Sequence, residues 1–163
     1  MAPTRRILVV EDSTLQQRLY DLVLGAHRGH LVEISHAANG REALAQLSRQ
    51  PNTALIILDV NMPVMSGLEF LSRIKQEPLL RHIPVIICSS EDKEDDIRRG
   101  LQLGARAYII KPFQTEHLLE VLSRVLQVPM EELAGTSAPS SERQSRPGAP
   151  HASRPTPLRR IGS

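Results

Sequence analysis

Five polar side chains of this sequence could do chemistry together, because each follows a short apolar run of the kind that forms a buried β-strand. They are Glu11, Asp12, Asp59, Ser89 and Lys111. If the runs are parallel strands, their carboxyl ends meet at one edge of the sheet, where open α/β folds bind ligands. Three crowded carboxylates repel one another, and a divalent cation relieves that repulsion. Oxygen ligands without His or Cys favour Mg²⁺ over zinc.

A carboxylate beside Mg²⁺ and a lysine is the arrangement that phosphoryl transfer uses, with the carboxylate attacking phosphorus while positive charge stabilises the equatorial oxygens. Taken singly, Asp12 could cap a helix, Ser89 could be a loop hydroxyl and Lys111 a solvated surface lysine. Asp59 is harder to explain in this way, because it follows the apolar run Leu55–Leu58. The joint placement of these side chains favours a functional site.

The elements that must position this site alternate along the chain. Short runs rich in Ile and Val predict strands at Ile7–Val10, Leu31–Ser35, Ala54–Leu58, Val85–Cys88 and Ala107–Ile110. Helical spacing of apolar residues predicts amphipathic helices between them, with stripes at Leu15, Leu19, Leu22 and Val23, at Leu68, Leu71 and Ile74, and at Leu118, Leu122, Val125 and Leu126. Five strands alternating with five helices predict a single α/β domain with a parallel sheet covered on both faces.

Residues that begin and end helices agree with this alternation. Ser66 and Asn39 stand where a helix would begin, each with a glutamate three residues later. Gly25, Gly100 and Gly104 are predicted to lie where helices end.

Composition divides the chain in two. We expect one domain over residues 1–128 and a Pro/Ser/Arg-rich, mostly disordered tail over residues 129–163, which holds six of the twelve prolines. The net charge of +2 lies in the tail, because acidic and basic residues balance over 1–128. The domain itself therefore has no overall charge that would indicate nucleic-acid binding.

Other classes of protein are disfavoured by simple counts. One cysteine, Cys88, excludes an internal disulfide and a paired-cysteine metal site. No apolar stretch approaches the roughly 20 residues that cross a bilayer, and polar residues come too early for a signal peptide. A cytoplasmic location is expected.

The motifs resemble those of response-regulator receiver domains in two-component signalling, in particular the stand-alone chemotaxis type. The matching segments are Ile7–Ser13, Leu58–Pro63, Gly67, Pro84–Ser90, Gly104-Ala105 and Tyr108–Phe113. The resemblance covers about residues 4–128, and it implies a doubly wound, flavodoxin-like sheet with the strand order 2-1-3-4-5.

The resemblance also implies how the site works. Asp59 would accept a phosphoryl group from a histidine kinase, in a protein that is a signalling switch and not an enzyme beyond its own phosphorylation and dephosphorylation. Asp12, Asp59 and the backbone carbonyl of Asn61 would ligate Mg²⁺, and Glu11 would act mainly through water.

Three further residues would respond to the phosphoryl group. Lys111, preceding a cis proline at Pro112, would pair with the acyl phosphate. Ser89 would move to hydrogen-bond it, and Tyr108 would turn inward. The surface of the fourth helix, fifth strand and fifth helix would then change shape and bind an unknown downstream protein.

Two neighbours of the site are expected to set the lifetime of the acyl phosphate. Asn61 lies two residues after Asp59, and Glu91 lies two after Ser89. In similar receivers these positions control access of water to phosphorus, and an Asn and Glu pair is typical of fast-responding regulators.

Three other functions compete with this one. A phosphatase with an aspartyl intermediate would need an acid two residues after the nucleophile, where Asn61 stands. A phosphorylation-independent receiver-like scaffold or localisation adaptor, acting through its tail, is the second alternative. A degenerate receiver of this kind would be expected to have lost site residues, yet all five are present. A transcription factor would need a DNA-binding domain, and the 35 residues after 128 show no helix-turn-helix pattern.

Overall fold

The computed structural model describes residues 4–25 and 32–128, which form a five-stranded parallel sheet in the order β2-β1-β3-β4-β5. The strands are β1 Arg5–Val10, β2 Val32–Ala37, β3 Leu55–Leu58, β4 Val85–Ser89 and β5 Ala107–Ile110. The predicted fold class and strand order are both confirmed. The second strand ends at Ala37, two residues later than predicted, and Leu31 lies outside the described residues.

Within residues 4–25 and 32–128, five helices connect and cover the strands. They are α1 Thr14–Val23, α2 Gly40–Arg49, α3 Gly67–Gln76, α4 Glu94–Gln102 and α5 Thr115–Leu126. The predicted caps at Asn39 and Ser66 are confirmed, since each side chain accepts a hydrogen bond from the backbone N–H three residues on. Gly25 and Gly104 follow α1 and α4 with φ of 60° and 108°, a conformation that glycine adopts without strain.

Two apolar layers hold the sheet between the helices. Alternate residues of β1 divide between them: Ile7 and Val9 pack on the side of α1 and α5, whereas Leu8 and Val10 pack on the side of α2 and α3. Because both faces are covered, the central strands are continuous apolar runs without polar alternation. This pattern is what made the strands readable from the sequence.

The predicted apolar stripe of α1 is wrong about which face is buried. Leu15, Leu19 and Leu22 are 79%, 47% and 75% exposed, and Val23 is half-buried. The helix is anchored instead by Tyr20, whose ring stacks on Phe113 at 6.0 Å between centroids, and by Leu24 just after the helix. Tyr20 and Leu24 have helical spacing too, and both pack in the apolar cluster that includes residues of α5.

Gly100 does not end a helix as predicted. It lies inside α4 and is buried, because α4 approaches β4 and β5 closely at this point. A Cβ added there would lie 2.7 Å from Cδ1 of Ile87 and 3.4 Å from the ring of Tyr108. The glycine therefore serves close packing of the helix on the sheet, not termination.

The predicted tail, residues 129–163, lies outside the described residues, and so does the boundary at 128–129. Among the helices that are described, none combines the length and the apolar character needed to span a bilayer.

Candidate functional site

The predicted acidic residues meet at the carboxyl edge of the sheet. Hydrogen bonds from Glu11 N to Ala37 O, at 2.9 Å, and from Asp59 N to Val10 O, at 3.0 Å, extend the strand pairing by one residue. One carboxylate oxygen from each of Glu11, Asp12 and Asp59 lies within 4.8 Å of the other two. The parallel topology thus brings three acids together from positions far apart in the chain.

Burial divides the three acids. Glu11 and Asp59 are 2% and 9% exposed, whereas Asp12 is exposed. Loss of solvation raises the pKa of Asp59, against the opposing effects of the Lys111 charge and the Asn61 N–H. Burial is likewise the main cause that raises the pKa of Glu11, and hydrogen bonds from Lys111 and Ser13 act in the opposite direction. Ionised carboxylates held in this way favour a cation among them.

This donor set fits Mg²⁺. It contains only oxygen ligands, and one acid is open to solvent so that bound waters can be kept. Asp12, Asp59 and Glu11 are the side chains that could hold the ion.

Lys111 points into this cluster from the end of β5. Its Nζ donates to Oε2 of Glu11 at 2.8 Å and also to Oε1 of Gln16, and its side chain is only 13% exposed. The Lys111-Pro112 peptide bond is cis, as predicted. Among the three acids, Glu11 is therefore the hydrogen-bonded partner of the ammonium, and the charge of Lys111 also acts on Asp59.

The first turn of α1 fixes the loop that carries the acids. Ser13 N donates to Oε1 of Glu11 at 3.1 Å, and Gln17 Nε2 donates to the Glu11 carbonyl at 2.7 Å. The Ser13 hydroxyl caps the helix by accepting from Gln16 N. Both carboxylate oxygens of Glu11 thus have a donor, and Gln16 is placed beside Lys111.

Asn61, Ser89, Glu91 and Tyr108 form a second network on the opposite side of the site. Asn61 Nδ2 donates to Oε1 of Glu91 at 3.0 Å, and Glu91 N donates to the Ser89 hydroxyl at 3.2 Å. The Tyr108 hydroxyl donates to the Glu91 carbonyl at 2.8 Å. Glu91 is therefore hydrogen-bonded to Asn61, to Ser89 and to Tyr108, and it links the other three residues of this network.

The loop after β3 is shaped by close backbone contacts. Gly67 lies so near the Asp59 carbonyl oxygen that an added Cβ would be 2.2 Å from it. Val64 has φ of 71°, which is uncommon for a β-branched residue. Together these features hold the loop tightly under Asp59.

An open cleft of about 750 Å³ starts at the site and runs along α1. Its floor includes Asp59, Asn61 and Lys111, and its wall is lined by Leu15, Leu19, Leu22, Pro112 and Phe113. The sequence did not reveal two features of this region: that the three leucines face outward, and that Gln16 contacts Lys111. Helical spacing of leucines does not say which face of a helix is buried, and no motif marks a single glutamine as part of a site.

Comparisons with known proteins agree with the geometry. The family model described as a response regulator receiver domain matches residues 7–123. The two-component response regulator ORR5 of Oryza sativa subsp. japonica is 35% identical over 121 residues, which cover 74% of this chain and 88% of the rice protein.

Solved structures show the same fold. The chemotaxis protein CheY4 of Vibrio cholerae superposes with a TM-score of 0.68 at 33% identity, covering 76% of this chain and all of the other. A response regulator structure from Chloroflexus aurantiacus reaches a TM-score of 0.70 at 28% identity, covering 77% of this chain and 99% of that one. The chain belongs to the response regulator receiver domain family of two-component signalling.

Proposed function

We propose that this chain is a response regulator in which Asp59 accepts a phosphoryl group from a histidine kinase, with Mg²⁺ bound beside it. The observation that carries the proposal is the convergence of Asp59 with Glu11, Asp12 and Lys111 at the end of the central strands. Family membership supports the same role. The phosphoryl group then changes protein contacts, and the chain acts as a switch and not as an enzyme with turnover.

The chemical step is a displacement at phosphorus. A carboxylate oxygen of Asp59 forms the new P–O bond as the P–N bond to the donor histidine breaks, and the imidazole leaves with the electron pair and takes up a proton. Lys111 supplies positive charge for the oxygens of the group in transit. Asn61 N donates to Oδ1 of Asp59 at 3.3 Å, which helps to orient the attacking carboxylate.

Mg²⁺, when bound, supplies positive charge that offsets the three acids and the incoming phosphoryl oxygens. Asp12, Asp59 and the Asn61 carbonyl are the proposed direct ligands, with Glu11 acting through water. Apart from Asn61, these are the residues of the acidic cluster.

The donor protein is proposed to cover the cleft along α1. Three leucines that are 47–79% exposed line a path leading directly to Asp59, and such contiguous apolar exposure marks interaction sites. A protein that presents a phosphohistidine to Asp59 must approach this edge. Leu15, Leu19 and Leu22 would then supply its apolar contact.

The readout is proposed to pass through Ser89 and Tyr108. A phosphoryl group on Asp59 attracts the Ser89 hydroxyl and Lys111, which lie on different loops. Since Ser89 and Tyr108 both contact Glu91, a shift of Ser89 changes the setting of Tyr108. The α4–β5–α5 surface, where Ile110 is 43% exposed, would then bind a downstream protein.

Incubation with acetyl phosphate and Mg²⁺ tests the proposal. A switch gives one phosphoryl group per chain, which then decays, and Asp59→Asn gives none. Sustained release of phosphate from a phosphomonoester such as p-nitrophenyl phosphate would indicate a phosphatase, since the switch itself cycles only slowly with an acyl phosphate donor. Absence of any labelling in the wild-type chain would favour a phosphorylation-independent scaffold.

A further inference from the structure

We propose that Gln16 is a positioning residue for the phosphoryl-transfer step, holding the Lys111 ammonium at the site without neutralising its charge. This inference rests on the proposed function, because it concerns the lysine that would face the phosphoryl group. The carrying observation is the hydrogen bond from Lys111 Nζ to Oε1 of Gln16, made beside the ion pair with Glu11.

The ammonium of lysine has three N–H donors and no acceptor. Among the described residues, Glu11 and Gln16 each accept one hydrogen bond from Lys111 Nζ. With two donors directed to Glu11 and Gln16, the third has no hydrogen-bond partner within the described residues and is available to the cleft that Lys111 and Asp59 both line. Two fixed partners therefore orient the group better than one.

The two partners differ in charge, and this difference gives Gln16 its role. Glu11 neutralises the ammonium, and Glu11 also belongs to the cluster that would hold a cation. A neutral amide oxygen holds the same ammonium while leaving its positive charge for the phosphoryl oxygens. Gln16 therefore keeps Lys111 in place even when the Glu11 carboxylate is engaged elsewhere.

The backbone of Gln16 is well placed for this task. It lies in the first turn of α1, where the Ser13 hydroxyl accepts from its N–H. Its neighbour Gln17 ties the same turn to the Glu11 carbonyl at 2.7 Å. The side chain is half-buried among the residues that line the cleft, beside Lys111.

Gln16→Leu keeps the approximate size of the side chain and removes the acceptor. We expect its rate of phosphorylation by acetyl phosphate to fall about three- to tenfold, the net loss typical of a single hydrogen bond. Gln76→Leu is the matched control, because Gln76 is exposed at the far end of α3, and its rate should equal that of the wild type.

A double-mutant cycle separates positioning from general damage to α1. In a Lys111→Met background, Gln16→Leu should have no further effect on the rate, since the group it positions is absent. An equal loss in both backgrounds would mean that the glutamine acts structurally, and it would overturn the inference.

A metal-free measurement provides a second readout. The chain has only three lysines, Lys75, Lys93 and Lys111, so ¹⁵N-lysine labelling gives a simple ammonium NMR spectrum. Gln16→Leu should shift or broaden the Lys111 signal, and Gln16→Glu, which retains an acceptor oxygen, should restore a sharp signal. Lys75, whose Nζ donates to the carbonyls of Arg81 and Ile83, is the internal reference.

The outcomes are distinguishable from failure of the proposed function. If the wild-type chain is not phosphorylated, the proposed function itself fails. If the wild type is phosphorylated but Gln16→Leu matches it in rate and leaves the Lys111 signal unchanged, only the role of Gln16 is refuted.

Discussion

The helices α1 and α4 flank the candidate site and are built in opposite ways. The α1 helix is fixed by Tyr20 and Leu24 and exposes leucines. The α4 helix exposes charges and buries only Gly100 among its residues, and its N-cap residue, Lys93, makes no side-chain capping hydrogen bond with the described residues. A firmly held apolar helix suits docking of a donor, whereas a weakly held charged helix suits a change of position after phosphorylation.

The difference in how the two helices are anchored predicts the largest effect, on the free energy of unfolding. Leu24→Ala should lower the free energy of unfolding by about 2–4 kcal/mol, because it empties a fully buried position. Ile97→Ala in α4 should cost only about 1 kcal/mol, because Ile97 is half-buried. Urea unfolding of both variants is the measurement, with exposed Leu22→Ala as the control. Equal losses from Leu24 and Ile97 would break the comparison.

The docking half predicts an effect on transfer between proteins. Replacing Leu15, Leu19 and Leu22 together by serine should slow transfer from a phosphorylated histidine phosphotransfer domain about tenfold or more, since apolar contact area is lost. Phosphorylation by acetyl phosphate should stay unchanged, because Asp59 and Lys111 are untouched. Rapid-quench assays with both donors measure this. A parallel loss with acetyl phosphate would show damage to the site, and no loss with either donor would refute docking on α1.

The contact between the two sides of the site predicts a smaller effect on lifetime. Asn61→Ala and Glu91→Ala remove the 3.0 Å hydrogen bond that joins the loop after β3 to the residues before α4. Because these side chains are expected to control the attack of water, decay of the phosphorylated chain should slow by a few-fold, about 1 kcal/mol in barrier. Decay measured by phosphate-affinity electrophoresis is the test, and an unchanged half-life in both variants would sink the prediction.

The charge of the site predicts the smallest effect, on stability against pH. Burial raises the pKa of Asp59 above the ordinary value of 3.8, so the folded state is more stable when this carboxyl is protonated than when it is ionised. That stabilisation is present below 3.8 and is lost as pH rises through the folded-state pKa. Asp59→Asn should therefore raise Tm by a few degrees at neutral pH without Mg²⁺, and by progressively less as pH falls towards 3.

Thermal scans over this pH range measure the effect, and Mg²⁺ should narrow the gap at neutral pH by stabilising only the wild type. A variant that is less stable than the wild type at neutral pH would contradict the assigned cause of the shift.

Much of the fold was predictable from the sequence because both faces of the sheet are covered. Continuous apolar runs such as Leu55–Leu58 mark central parallel strands, and the acids that follow them must meet at one edge. The strand order came from the family resemblance and was confirmed by the structure.

The remaining features depend on contacts that no local pattern encodes. The buried face of α1 is decided by how Tyr20 meets Phe113, which lies in the distant loop between β5 and α5, and both faces of α1 carry apolar residues at helical spacing. A glycine is needed at position 100 because Ile87 and Tyr108, from two different strands, approach it closely. The hydrogen bonds of Lys111 to Glu11 and Gln16 join residues that are about a hundred positions apart in the sequence, and only the folded structure brings them together.

Identification of the phosphorylated residue tests the central claim most directly. The chain is treated with acetyl phosphate and Mg²⁺, then with sodium borohydride, which reduces an acyl phosphate to an alcohol and converts the modified aspartate to homoserine. Peptide mass spectrometry then locates it. We predict homoserine at position 59 and unmodified Asp12. Modification at Asp12 or Ser89, or none in the wild-type chain, would contradict the assignment of Asp59 as the phospho-acceptor.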